Sequence, residues 1–203
     1  MRAPFASAFL LAVGCASTKA PPVEVGPTDA PVQTAGTKAA PAATMAVACS
    51  AEGKTPTVKT VDVDGDGRPD MWKFYGDVSG QQKVVRQDLD LNWDGRVDVC
   101  RFFETGGKAR REEADLDYDG KIDEVTDYAD GIVTMKKRDR DHDGRPDIVR
   151  RYERGRLAAK EMDTNGDGDM DRFEEWKDGR VERVGVDENG DGKVDFWGNA
   201  SSG

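Results

Sequence analysis

Histidine occurs once in the 203 residues, cysteine three times, and aromatic side chains make up only 7%. A lone His142 with no thiol nearby in sequence offers no zinc or copper cluster. It also leaves no Ser-His-Asp or Cys-His set to activate a nucleophile. No glycine loop of the phosphate-binding type is present. The longest largely apolar stretch lies near the start, from Phe5 to Val13, and no later segment is long and greasy enough to span a bilayer. The same shortage leads us not to expect a conventional globular core. Chains this poor in large apolar groups use metals, disulfides or stacking to stay folded. The balance of 30 basic to 40 acidic residues, net −10, argues against a nucleic-acid partner.

What the chain has instead is one acidic loop, six times over. The copies read Asp62-VDGDGRP-Asp70, Asp90-LNWDGRV-Asp98, Asp115-LDYDGKI-Asp123, Asp139-RDHDGRP-Asp147, Asp163-TNGDGDM-Asp171 and Asp187-ENGDGKV-Asp195. Successive first residues lie 28, 25, 24, 24 and 24 apart. Each copy carries oxygen side chains at positions 1, 3, 5 and 9 and glycine at position 6. Alternate residues pointing inward, with a sharp glycine turn between them, are how a short segment wraps a hard divalent cation. The candidate ligands are Asp62, Asp64, Asp66 and Asp70; Asp90, Asn92, Asp94 and Asp98; Asp115, Asp117, Asp119 and Asp123; Asp139, Asp141, Asp143 and Asp147; Asp163, Asn165, Asp167 and Asp171; and Asp187, Asn189, Asp191 and Asp195. Connecting turns need Asp and Gly, but they do not need four oxygen side chains at fixed places in every copy.

The loops resemble the first nine residues of an EF-hand loop, and the DxDxDGxxD pattern is similar to the loops of integrin-type propellers, dockerins and thrombospondin type 3 repeats. That resemblance implies up to six Ca2+ ions, with the position 7 carbonyl as a further ligand and the position 7 side chains turned outward. The EF-hand glutamate at position 12 has a counterpart only in the fifth loop, at Glu174. Five loops lacking it implies extracellular-range affinity, roughly 0.1–1 mM. Charge supports the assignment. The ligand positions hold 21 Asp, and without them the chain beyond its first fourteen residues would be positive.

Between loops, apolar residues recur in columns. Position 11 is Trp72, Cys100, Val125, Val149, Phe173 and Trp197; position 14 is Tyr75, Phe103, Tyr128, Tyr152 and Trp176. These spacings fit one helical face, but the segment before the following glycine is too short for a stable helix and rich in β-formers. Strand, glycine turn and strand fit better, and Tyr152-ERGRL and Trp176-KDGRV look like the hairpins of MORN-type repeats. The expected fold is an all-β repeat array over residues 48–203. Six units of about 24 residues each join one metal loop to one β-hairpin.

Residues 1–14 read as a secretory signal. Leu11-Ala12-Val13-Gly14-Cys15 is similar to the lipobox of bacterial lipoproteins, which implies cleavage before Cys15 and acylation of its thiol. Residues 15–47, rich in Ala, Pro and Thr, read as a disordered tether. A disulfide between Cys49 and Cys100 is expected, with a buried free thiol at Cys100 as the alternative. His142, at loop position 4, reads as an exposed loop residue facing away from the ion. The function implied is a calcium-binding, lipid-anchored structural or adhesion-type protein of the bacterial envelope, at the outer membrane. It has no catalytic residues, and its partners are the membrane, through Cys15, and an envelope or matrix component. The alternative is a calcium-dependent docking module of the dockerin kind.

Overall fold

The computed structural model describes residues 57–200. It consists of twelve antiparallel strands in strict chain order, forming one open sheet. They are β1 (Thr57–Val61), β2 (Met71–Val78), β3 (Gln81–Leu89), β4 (Val99–Phe103), β5 (Ala109–Ala114), β6 (Glu124–Ala129), β7 (Ile132–Arg138), β8 (Ile148–Glu153), β9 (Arg156–Met162), β10 (Arg172–Lys177), β11 (Arg180–Val186) and β12 (Phe196–Asn199). The expected hairpin array is what forms. Five complete hairpins lie between the six loops, and the sixth loop leads into the single strand β12. Among the described residues no helix is long and apolar enough to cross a membrane.

Because every strand turns back on its neighbour, the two kinds of connection separate to opposite ends of the strands. All six acidic loops line one end and the hairpin turns line the other. Four of the turns are two-residue turns with both φ angles positive: Ser79-Gly80, Asp130-Gly131, Arg154-Gly155 and Asp178-Gly179. Their twist matches that of the flanking strands, which keeps each hairpin tight. Each hairpin also carries one bulge at the same place, opposite the aromatic column. Val85 is the extra residue at the Phe74/Tyr75 step, and equivalents recur at Phe102/Phe103, Asp127/Tyr128, Arg151/Tyr152 and Glu175/Trp176.

Residues three apart on a strand point to opposite faces, so the two apolar columns form two separate stripes, one per face. The position 11 stripe is fully buried at Cys100, Val125 and Val149 and half-buried at Trp72, Phe173 and Trp197. The position 14 aromatics are half-buried throughout. Charged side chains interleave with these stripes in register. Arg86 lies between Phe74 and Phe102, with its guanidinium 4.9 and 5.6 Å from the ring centres. It also grips Asp88 through two 2.6 Å hydrogen bonds. Burial pushes the Asp88 carboxyl up, and the Arg86 guanidinium opposes that rise. Arg101–Glu112, Arg111–Asp127, Lys136–Glu124 and Arg183–Glu175 pair across other strands.

Apolar burial is thin and central. Val99, Cys100, Ala114, Ile122, Val125, Ile148 and Val149 are the buried hydrophobic residues among those described, all close under the loops of repeats two to four. Buried polar residues outnumber them, and most are loop aspartates. Cys100 is disulfide-bonded and fully buried; the expected partner, Cys49, lies outside the described residues. The signal, the tether and Cys15 also lie outside them.

Candidate metal centres

Two left-handed residues per loop set the geometry. Position 6 is glycine in all six, with φ between 79° and 92°. Position 4 is left-handed as well, being Gly65, Gly166 and Gly190 in three loops but Trp93, Tyr118 and His142 in the others, at φ of 63°, 68° and 64°. A non-glycine residue there costs roughly 1–2 kcal/mol. The sequence pattern showed the glycine at position 6 but hid the same requirement at position 4.

With these two turns in place the backbone N–H groups converge on the aspartates. In every loop the position 1 carboxylate accepts from the N–H groups of positions 4 and 6, as with Tyr118 and Gly120 on Asp115, both at 2.7 Å. Position 3 accepts from the position 5 N–H, position 5 from position 7, and position 9 from position 2. In loops two to four positions 1 and 9 are consequently sunk toward the sheet, whereas Asp62 and Asp195 in the end loops stay exposed. Asp90, Asp98, Asp115, Asp123, Asp139 and Asp147 are all buried, whereas Asp64, Asp66, Asp117 and Asp119 face water. Carboxylates from three positions approach within 4.8 Å of one another in loop one (Asp62, Asp64, Asp66), loop three (Asp115, Asp117, Asp119) and loop four (Asp139, Asp141, Asp147). Three carboxylates brought together in this way could hold a hard cation.

Loops two, five and six carry Asn at position 3, and the amide changes the internal wiring. Its oxygen still accepts from position 5, but its Nδ2 donates to a neighbouring ligand carboxylate. Asn92 donates to Asp94 at 3.3 Å, Asn165 to Asp167 at 3.0 Å and Asn189 to Asp195 at 2.9 Å. An Asp in that place would present a second, unbonded oxygen instead.

The loops also bond to each other. The N–H of Asp90 donates to the carbonyl of Asp70 at 2.8 Å, and the same bond links Asp115 to Asp98, Asp139 to Asp123, Asp163 to Asp147 and Asp187 to Asp171. Adjacent sites therefore share a backbone seam. His142 crosses that seam, its Nδ1 3.2 Å from Asp123 Oδ1 and its Nε2 3.6 Å from Asp117 Oδ2 of loop three. It is exposed, as expected, yet it reaches the ligands of the neighbouring loop. Arg145 departs from the outward direction expected of position 7, donating to Asp143 at 2.9 Å and to the Asp167 carbonyl of loop five at 3.2 Å. Only the order of strands reveals such neighbours, which is why single-loop reasoning missed both. Glu174 is engaged elsewhere. It is buried on β10, accepting from Trp176 Nε1 at 3.1 Å and facing Lys160 and Arg172. Those partners hold Glu174 away from the nine-residue acidic pattern that loop five shares with the rest.

Electrostatics differ along the row. Burial raises the carboxyl of Asp98, against backbone N–H bonds from Leu91 and Asn92 and with Asp90 and Asp94 adding to the rise. Asp139 is raised by burial likewise, with Asp147 and Asp141 contributing. In loop six burial also acts on Asp187, but N–H bonds from Gly192, Gly190, Asn189 and Asp191 outweigh it and hold the group below its ordinary value.

No protein-family model matches the chain, and no curated protein matches it. Among solved structures it is similar to part of the accessory secretory protein 1, 2 and 3 structure in Streptococcus pneumoniae, at 21% identity over 48% of this chain and 20% of that one, with a TM-score of 0.35. It is also similar to part of TarM, at 17% identity over 41% of this chain and 19% of that one (TM-score 0.28). A Staphylococcus aureus TarM mutant in complex with Fondaparinux, alpha-GlcNAc-glycerol and UDP matches at 12% identity over 60% and 20% (TM-score 0.28). The matched region is about a fifth of each of those chains.

Proposed function

We propose that this protein is a calcium-binding structural or adhesion repeat, held to the bacterial envelope by acyl chains on Cys15. The observation that carries the metal reading is the row of six acidic loops along one end of a single sheet, with three carboxylates drawn within 4.8 Å of one another in loops one, three and four. A sheet with so few buried apolar residues gains most from ions that fix the seams between repeats. The lipobox-like Leu11–Cys15 supports the anchor and the envelope address. A structural rather than catalytic role is favoured because the carboxylates able to do acid–base work are already committed to backbone N–H groups within the loops. Dockerin-like docking has less support, since each loop runs into a strand where that resemblance expects a helix.

The deciding experiment is calorimetric calcium titration with thermal melts in calcium and in chelator. Several ions bound and a large rise in melting temperature are expected. No heat and an unchanged melt would remove the metal role. For the anchor, Cys15→Ser is expected to release the protein from membranes, and persistent membrane association would count against lipidation.

A further inference from the structure

The first and last strands of the array are two halves of an unfinished hairpin. Strands preceding a loop (β3, β5, β7, β9, β11) are bonded on both sides, whereas β1, their counterpart, is bonded only to β2 among the described residues. Strands following a loop (β2, β4, β6, β8, β10) are likewise bonded on both sides, whereas β12 is bonded only to β11 among the described residues. Among the described residues, β12 has no β1-like strand on its outer side and β1 no β12-like strand on its own.

The internal seams fix the register such a union would take. Met71 faces Leu89, Trp72 faces Asp88 and Lys73 faces Gln87 between β2 and β3. The same rule sets Phe196 against Val61, Trp197 against Thr60, Gly198 against Lys59 and Asn199 against Val58. It also brings the Asp62 N–H to the Asp195 carbonyl, repeating the bond that joins every other pair of loops. Backbone directions agree. The Val61 carbonyl accepts from Asp70 on the β2 side, so Thr60 and Val58 turn their backbone groups to the open edge. The Ala200 N–H reaches Glu182 on β11, so Trp197 and Asn199 turn theirs outward.

The side chains are not those of capped ends. Phe196, Val61 and Val58 are 63%, 42% and 42% exposed. Of the five internal equivalents of the Phe196–Val61 pair, Val99 against Ala114 is buried at both residues, Ile148 is buried against a half-buried Met162, Met71–Leu89 and Glu124–Arg138 are half-buried, and only Arg172–Val186 has an exposed member. Terminal repeats of soluble arrays normally carry a polar outer face, and isolated edges are guarded by charges or proline. Lys59, the one charge on β1, bends back over the Tyr75 ring at 5.1 Å.

We infer that copies of this chain join head to tail, β12 of one against β1 of the next, extending the sheet and its row of loops. The contact is heterologous and does not close, so it generates open chains of copies, not a fixed dimer.

Sedimentation velocity of the full chain in calcium, from micromolar to millimolar, is expected to show dimers, trimers and longer species without a plateau. A monomer at every concentration, as when residues 1–56 cover β1, would overturn the inference. So would a species that stops at the dimer, as two β1 edges pairing together would give. Thr60→Pro removes an edge-facing N–H while leaving the bonds of Lys59 and Val61 to β2, and is expected to weaken association at least tenfold. Should that variant disturb β1, Phe196→Lys and Val61→Glu serve as a second test. Each alone is expected to weaken association, and mixing them is expected to restore it, because an intact edge and a Lys–Glu edge then alternate. No gain on mixing would overturn a head-to-tail seam.

Discussion

Loops one, three and four differ from loops two, five and six by one atom at position 3, and that atom alters what each loop can hold without help. In the amide loops, Nδ2 of Asn92, Asn165 and Asn189 donates to a ligand carboxylate, so one acid is partly neutralised by the loop itself. In the acid loops the same place carries a further negative charge, and three carboxylates crowd within 4.8 Å. Repulsion among such charges is strong at short range and is relieved by a cation. Under the proposed metal-binding function, the acid loops are therefore expected to be the tighter and more ion-dependent sites, and the amide loops better able to keep their shape alone.

The largest expected effect comes from destroying an acid loop. Asp115→Ala with Asp119→Ala strips the partner from the Tyr118 and Gly120 N–H groups as well as removing ligands, and each orphaned donor that stays buried costs about 1–3 kcal/mol. One ion should vanish from the calorimetric stoichiometry and the melting temperature should fall. Unchanged stoichiometry would exclude loop three as a site. Next comes exchange of the two loop types. Asn92→Asp should tighten loop two and Asp117→Asn should weaken loop three, each by about tenfold, equivalent to about 1.4 kcal/mol. Equal affinities across both variants would abolish the distinction.

A smaller effect has a diagnostic sign. The folded-state carboxyls of Asp98 and Asp139 lie above the ordinary 3.8, so they bind protons more tightly folded than unfolded. Their contribution favours the fold at low pH and is lost as pH rises from 3.8 through the raised values. Asp187, held low, acts in the opposite sense, favouring the fold above 3.8 and losing that contribution as pH falls. Asp98→Asn should therefore raise the melting temperature in chelator at neutral pH, yet shrink the gain that calcium brings. A loss in both conditions would mean that burial of this charge is not the controlling factor. The smallest expected change is His142→Ala, which removes a contact to Asp123 and Asp117 across an exposed seam and should alter melting by no more than about 1 kcal/mol. A shift confined to loop three's affinity would separate a local contact from a general one.

Much of this was legible in the sequence because the repeat prints its own alignment. Six copies showed the acidic positions, the hairpin length and the apolar columns. Three features were not legible, each for a physical reason. The left-handed bend at position 4 is disguised wherever Trp93, Tyr118 or His142 occupies it. The contacts of His142 and Arg145 depend on which loop lies alongside, and that is set by strand order. Glu174 fitted a ligand pattern by spacing, but a residue at position 12 is already on β10, where Trp176, Lys160 and Arg172 claim it.

Strict chain order in the sheet has a mechanical consequence. Tension applied between β1 and β12 runs across the strands, along the direction of their hydrogen bonds, so it peels one row before it loads the next. Each detached repeat would release some two dozen residues of slack, with the backbone bonds between neighbouring loops as the last catch. A pulling trace should thus show a sawtooth of small, similar steps. A protein built in this way yields by lengthening.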